Sequence, residues 1–343
     1  MFSKRPDRIR LEASSYCQLR CPSCPTAIGT IDAAVGRGFL SASDFEKLLE
    51  KNPFVREIEL SNYGEILLNP ELPAILEAAH SRGVVMRADN GVNLNSASEL
   101  VLDAIVRYGL RSMTCSVDGA SNETYKQYRV RGSFDRVIAN IRRLNELKAQ
   151  YRSPYPIMTW QFIVFGHNEH ELPVARGMAE DLGMGFRAKL SWDPDFSPIR
   201  DGRLVLQETG AASRADFLAR SGTDYMSGIC HQLWNAPQIN WDGRVLGCCR
   251  NFWGEFGGNA FEDGVDAVTN SERMTYARAM LEGKQPARED IPCTTCEIYH
   301  TRQRTGDWVR PPVAGALRLG KSIYRKLKLE RLLALRFKEK RNT

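Results

Sequence analysis

The chain has 343 residues, 43% hydrophobic and 26% charged, with a formal net charge of +6. No apolar run approaches the ~20 residues of a membrane span, and Met1-Phe2-Ser3-Lys4-Arg5-Pro6-Asp7 lacks a signal-peptide core, so a cytoplasmic protein of about two domains is expected. The positive charge is local: from Arg318 to Arg341, ten Lys or Arg face Glu330 and Glu339, a surplus of eight that leaves the remaining chain near −2 and gives no support to a nucleic-acid-binding body.

Taken in chain order, a strand pattern at Ile9–Ala13 leads into Tyr16-Cys17-Gln18-Leu19-Arg20-Cys21-Pro22-Ser23-Cys24. Three thiolates hold a four-iron, four-sulfur cluster by three corners and leave the fourth iron open, whereas electron-transfer clusters and structural zinc normally take four protein ligands. A zinc site lacking one ligand, or three buried thiols, are the plainer readings. Further strand patterns lie near Glu57–Ser61, Val84–Ala88, Ser112–Val117, Met158–Val164 and Phe186–Leu190. Helical patterns intervene near Ala42–Glu50, Pro70–Arg82, Ala97–Arg107, Phe134–Tyr151 and Glu169–Leu182. Six βα units predict an α/β fold, a partial (β/α)6 TIM-type barrel over residues 1–215. Ligands of such barrels gather at the C-terminal strand ends, which is where the triplet falls.

The C-x3-C-x2-C spacing resembles the radical S-adenosylmethionine (SAM) superfamily, and the resemblance extends over nearly the whole chain. It implies that Cys17, Cys21 and Cys24 hold a 4Fe-4S cluster whose open iron binds SAM. It also implies that an electron from an external donor such as flavodoxin or ferredoxin splits SAM, giving a 5′-deoxyadenosyl radical that abstracts hydrogen from carbon. Gly64-Glu65 in Ser61-Asn62-Tyr63-Gly64-Glu65 resembles the family's Gly-Gly-Glu-Pro element, with Tyr63 for its first glycine and Ile66 for its proline. Asn90 in Asp89-Asn90-Gly91 resembles the Thr-Asn-Gly turn, Ser116 and Asp118 stand where the family places ribose-binding or substrate-binding groups, and Gln161 and Asn168 fall near its adenine-binding segment. Arg129 or Arg131 could clamp the SAM carboxylate or an anionic substrate. Taken singly, each of these residues also reads as a turn or helix cap, or as a solvated loop arginine.

The remaining cysteines are Cys115, in the fourth strand pattern, and Cys230, Cys248, Cys249, Cys293 and Cys296. The last five resemble a SPASM or twitch extension over residues 216–310, with one auxiliary 4Fe-4S cluster. The likeliest ligands are Cys230, Cys248, Cys293 and Cys296; a zinc ribbon is the competing reading. Ile239-Asn240-Trp241-Asp242-Gly243-Arg244-Val245 predicts a hairpin with Asp-Gly at its turn, and alternation along a strand sends Cys248 and Cys249 to opposite sides. Cys249 is thus left over, as a hydrogen-atom donor or as a small buried residue. Cys115 could face the barrel lumen.

The tail 311–343 reads as a basic amphipathic helix, with packing on its own barrel favoured over contact with anionic lipid. The expected function is hydrogen abstraction from a small hydroxylated or sugar-like metabolite, followed by epimerisation through Cys249 or by dehydrogenation through the auxiliary cluster. The barrel's first strand begins within about ten residues of Met1, which tilts the reading away from a ribosomally made peptide substrate. An iron–sulfur or zinc scaffold is the non-enzymatic alternative. Tyr63, Asp118, Gln161, Lys189, Trp192 and Asp193 are candidate lumen residues by position.

Overall fold

A computed structural model describes residues 5–310; the basic tail, and any lipid contact through it, lies outside the described residues. Six parallel strands carry the barrel: β1 (Arg8–Leu11), β2 (Glu57–Glu59), β3 (Val85–Val92), β4 (Ser112–Ser116), β5 (Ile157–Val164) and β6 (Gly185–Leu190). The helices between them are α1 (Ala42–Lys51), α2 (Leu72–Ser81), α3 (Glu99–Arg107), α4 (Asn122–Tyr128), α5 (Phe134–Gln150) and α6 (Leu172–Asp181). Serine caps start several of them: Ser41, Ser98, Ser121 and Ser133 each accept a backbone N–H of the first turn, offsetting donors a helix leaves orphaned. Each strand's buried face packs under the helices. At the centre of β5, Trp160 is wholly buried and donates its indole N–H to the Val117 carbonyl at 2.8 Å.

The expected alternation holds, with boundaries shifted by a residue or two in most elements. Asn90-Gly91, expected as a turn, lies inside β3. Glu59 accepts the Asp89 N–H and Ser61 Oγ accepts the Asn90 N–H, so the chain stays extended across a register shift, with Gly91 at φ +129°. The helix expected from Glu169 begins at Leu172, after a 3-10 turn at Glu169–Glu171, with proline in its first turn.

Beyond the barrel run α7 (Gly202–Thr209), α8 (Arg214–Ser221), α9 (Gln232–Asn235), β7 (Gln238–Ile239), β8 (Val245–Gly247), α10 (Val265–Thr269), α11 (Glu272–Leu281) and α12 (Glu297–Thr305). The expected hairpin is present as antiparallel β7 and β8, but it does not stand apart. β7 pairs in parallel with β1, giving one eight-stranded sheet in the order β6-β5-β4-β3-β2-β1-β7-β8. Arg10 Nε donates to Gln238 Oε1 at 3.0 Å and the Glu12 N–H to the Ile239 carbonyl at 3.0 Å. The sheet therefore runs across residue 215, and Met1–Trp308 is one compact unit.

Gly243 closes the hairpin at φ +87°, and a Cβ there would meet Asn259 Oδ1 at 2.2 Å. Gly243→Ala is expected to cost about 2–3 kcal/mol from left-handed strain and the clash, read as a lower urea midpoint at an unchanged m-value.

Candidate active site

The triplet follows β1 in a loop whose backbone is fixed from several sides. Cys24 N–H closes a turn on the Cys21 carbonyl at 3.1 Å, and Arg20 N–H reaches the Val130 carbonyl at 3.1 Å. Leu19, Tyr128, Ile163 and Phe165 pack with Cys21 into an apolar nest, with Cys17, Cys24 and Phe196 at its margin. Burial pushes the Cys17 thiol up to about 12 and the Cys21 thiol to about 11. Arg129 opposes that rise at Cys21, its Nη1 lying 3.9 Å from Sγ. Buried thiols of this kind ionise once a cationic iron site is beside them, so the donor set, its apolar nest and the Arg129 charge fit a cluster held by three thiolates.

The next loops converge on the same place. Gly64 lies so close to the chain entering the triplet that a Cβ would meet the Ser14 carbonyl oxygen at 2.1 Å, and the Glu65 N–H donates to the Tyr16 carbonyl at 2.7 Å. Behind them Glu12, wholly buried, accepts the N–H groups of Tyr63 (3.0 Å) and Gly64 (3.2 Å). Burial raises its carboxyl to about 8 despite those bonds. Glu65 in turn accepts the Asn93 N–H at 2.6 Å and the Leu67 N–H at 3.1 Å, and burial raises it to about 7.

A cavity of about 490 Å³ opens here. The triplet, Tyr63, Gly64, Glu65, Asn90, Ser116, Arg129, Gln161 and Cys249 all line it, as do Lys189 and Trp192. Several expected residues do not. Asn168 is fully buried and spends its amide on the Ile163 and Asp118 carbonyls and on the Phe165 N–H, shaping the end of β5. Asp118 is fully buried, pairs with Arg129 Nε at 2.6 Å and accepts the Ile163 N–H at 2.7 Å. Arg129, which lines the cavity, shares its charge between Asp118 and Cys21. Arg131 is exposed and outside the lining. Cys115 is wholly buried and lines neither this cavity nor the smaller one described below. Asp193 accepts from Ser23 Oγ while Trp192 Nε1 donates to the Ser23 carbonyl, clasping the loop after β6 to the triplet loop.

Cys230, Cys248, Cys293 and Cys296 line a second, smaller cavity with Leu233, Leu281 and Tyr299. Among the described residues no group of three or more His, Cys, Asp or Glu stands close enough to hold a single metal ion. Cys248 and Cys249 lie just past β8 in a turn rather than on the strand. They nevertheless divide as expected: Cys248 lines the small cavity and Cys249 the large one. Gln232 fixes Cys249 at two points, accepting its N–H at 2.8 Å and placing Nε2 3.4 Å from Sγ.

Sequence reasoning missed Glu12, Asn93, Arg214, Arg250 and Gln232. Arg250 was signalled by adjacency to Cys249; a glutamate directly after β1, ahead of the triplet, was the available sign of Glu12.

The profile of the radical SAM superfamily matches residues 11–175, and that of the SPASM iron–sulfur cluster-binding domain matches residues 230–297. The AdoMet-dependent heme synthase of Methanosarcina barkeri is 26% identical over 185 residues, 53% of this chain and 49% of that one. The GTP 3′,8-cyclase of Chlorobaculum tepidum is 29% identical over 148 residues, 42% of each. The chain thus spans about half the length of the curated relatives it matches. Among solved structures, Streptococcus suis SuiB bound to S-adenosylmethionine superposes with a TM-score of 0.60 at 15% identity, covering 86% of this chain and 72% of that one. BtrN in complex with AdoMet and 2-DOIA gives 0.50 at 15%, covering 86% and 94%. At these identities the likeness is one of fold.

A carboxyl whose folded pKa is raised holds its proton more tightly in the native state. The stability it confers is present at low pH and falls as pH climbs from the usual 4.5 towards about 8. Glu12→Gln keeps an acceptor for the loop and removes that titration. The variant's unfolding free energy is expected to vary less than the wild type's between about pH 5 and pH 8 in parallel urea titrations.

Proposed function

This chain is a SPASM-type member of the radical SAM superfamily, and we propose that it is an enzyme that epimerises a carbon of a small hydroxylated or sugar-like metabolite. Cys17, Cys21 and Cys24 would hold the catalytic cluster, and Cys230, Cys248, Cys293 and Cys296 an auxiliary one. When bound, the cluster and SAM supply the radical chemistry by which a hydrogen atom leaves the substrate carbon. The protein's part is to position and to exclude water. The apolar nest of Leu19, Tyr128, Ile163 and Phe165 shields the triplet, and Glu12 and Glu65 hold the loops that present Gly64 and Asn93.

The observation that carries the epimerase reading is the division of the cysteine pair, which leaves Cys249 in the cavity shared with the triplet. After hydrogen is taken from one face of the substrate carbon, Cys249 gives a hydrogen atom to the other. Its S–H bond breaks homolytically as the new C–H bond forms. Sγ then needs one electron and one proton, which a flavodoxin- or ferredoxin-class donor and solvent supply. Gln232 aims Sγ and anchors its backbone.

Two experiments test this. Anaerobic reconstitution is expected to load about eight irons per chain and to yield 5′-deoxyadenosine with dithionite. Cys17→Ala, Cys21→Ala and Cys24→Ala should each abolish the yield, and intact cleavage in any of them overturns the reading. In D2O, wild-type product should carry one solvent deuterium; Cys249→Ala should still form 5′-deoxyadenosine yet incorporate none. Undiminished incorporation removes Cys249 from the chemistry.

A further inference from the structure

The large cavity carries more positive charge than its lining balances. Arg129, Lys189, Arg214 and Arg250 line it, against Glu65 as the one carboxylate among the described lining residues. Arg129 is answered by Asp118 beneath it, and Glu65 is engaged by the N–H groups of Asn93 and Leu67. Arg214 is fixed over the Tyr225 ring at 4.9 Å, donates Nε and Nη2 to the Leu190 carbonyl, and feels Asp224 from outside the cavity.

Lys189 and Arg250 remain. Lys189, near the end of β6, forms no ion pair within 4 Å among the described residues. Burial, with Arg214 and Arg187 nearby, pulls its ammonium down to about 8. Arg250 follows Cys249, and its buried Nε has no partner. A cluster held by the three thiolates would bring one negative charge to the triplet, and SAM, whose sulfonium offsets its carboxylate once its amine is on the iron, would bring none, so neither answers Lys189 and Arg250. Both are half-buried in the cavity wall, and cations withdrawn from water in this way call for an anion, since an unpaired charge costs more as it loses solvent.

We propose that the substrate presents an anionic group, a carboxylate or a phosphate, to Lys189 and Arg250, with Arg214 adding to the positive field. The proposal rests on the reading of this cavity as the substrate site, and it narrows the hydroxylated metabolite to an acid or a phosphate ester. The pair comes from opposite ends of the chain's architecture, Lys189 from the barrel and Arg250 from the turn after β8, so an anion held by both fixes the substrate beside Cys249.

The test is a titration of the reconstituted, SAM-loaded protein with inorganic phosphate and, separately, with acetate, followed by calorimetry and by emission of Trp192 in the cavity wall. Saturable binding of at least one anion is expected, and the tighter one assigns the class. Lys189→Met and Arg250→Met should each weaken it about tenfold, while Lys189→Arg, which keeps the charge, should hold it within about threefold. SAM affinity by equilibrium dialysis should change by less than about twofold in all three. Failure of the wild type to bind either anion overturns the proposal, as does a loss of SAM affinity equal to the loss of anion affinity, which would assign the cations to the SAM carboxylate. The titration needs neither turnover nor Cys249, so its failure leaves the epimerase reading standing. Where no cluster assembles, that reading fails while the same titration on the iron-free chain still decides the anion site.

Discussion

Buried carboxylates that accept backbone N–H groups from the neighbouring loop hold the mouth of this barrel together. Glu12 at the end of β1 takes the loop after β2; Glu59 takes the start of the bulge in β3; Glu65 takes Asn93; Asp118 takes Ile163 of β5; Glu169 takes Arg200 and Asp201 beyond β6. Each link runs from one strand's end to the next, so the loops form a laced series rather than independent excursions. Such a hydrogen bond contributes about 0.5–1.5 kcal/mol where the acceptor is protonated and about 1.5–3 kcal/mol where it is charged, and removing the acceptor strands a buried donor. The raised pKa values of Glu12 and Glu65 show that burial outweighs these bonds. The fold accepts that cost to keep the loops in place.

Tyr63 shows what the lacing achieves. Where the family pattern has a glycine, this chain has a side chain whose hydroxyl donates to the Asn251 carbonyl at 2.6 Å. Asn251 in turn holds the Leu246 and Gly254 carbonyls. The departure from the pattern therefore couples the loop beside the triplet to the turn that carries Cys248 and Cys249. A side chain that fills the glycine's place becomes the tie between two sets of thiols.

Much of this was legible in the sequence because it is local. A compact triplet after a strand, alternating periodicities and an Asp-Gly turn are each decided within a dozen residues, and the structure reproduces them. What the sequence hid is long-range or inverted. The pairing of β7 with β1 joins residues 228 apart through a two-residue strand that no periodicity can announce. Asp118 and Asn168 have the right chemistry at the right strand ends, yet their polar atoms turn inward to serve the backbone, and spacing alone does not distinguish a residue that greets a ligand from one that supports the wall. Cys249 lines the expected cavity for a reason other than strand alternation: the chain has already left β8 and turned.

The pairing of β1 with the late hairpin has a consequence for biosynthesis. During translation at roughly 5–20 residues per second, the partner of β1 emerges some ten to fifty seconds after β1 itself. Through that interval one edge of the first strand has no neighbour, and an open edge is a template for errant pairing. The strand is only four residues long and bears Arg8 and Arg10, both of which discourage such association. Until β7 arrives, the sheet stays incomplete beside the triplet, so the nascent polypeptide carries these three thiols at the stage when it is least able to enclose them.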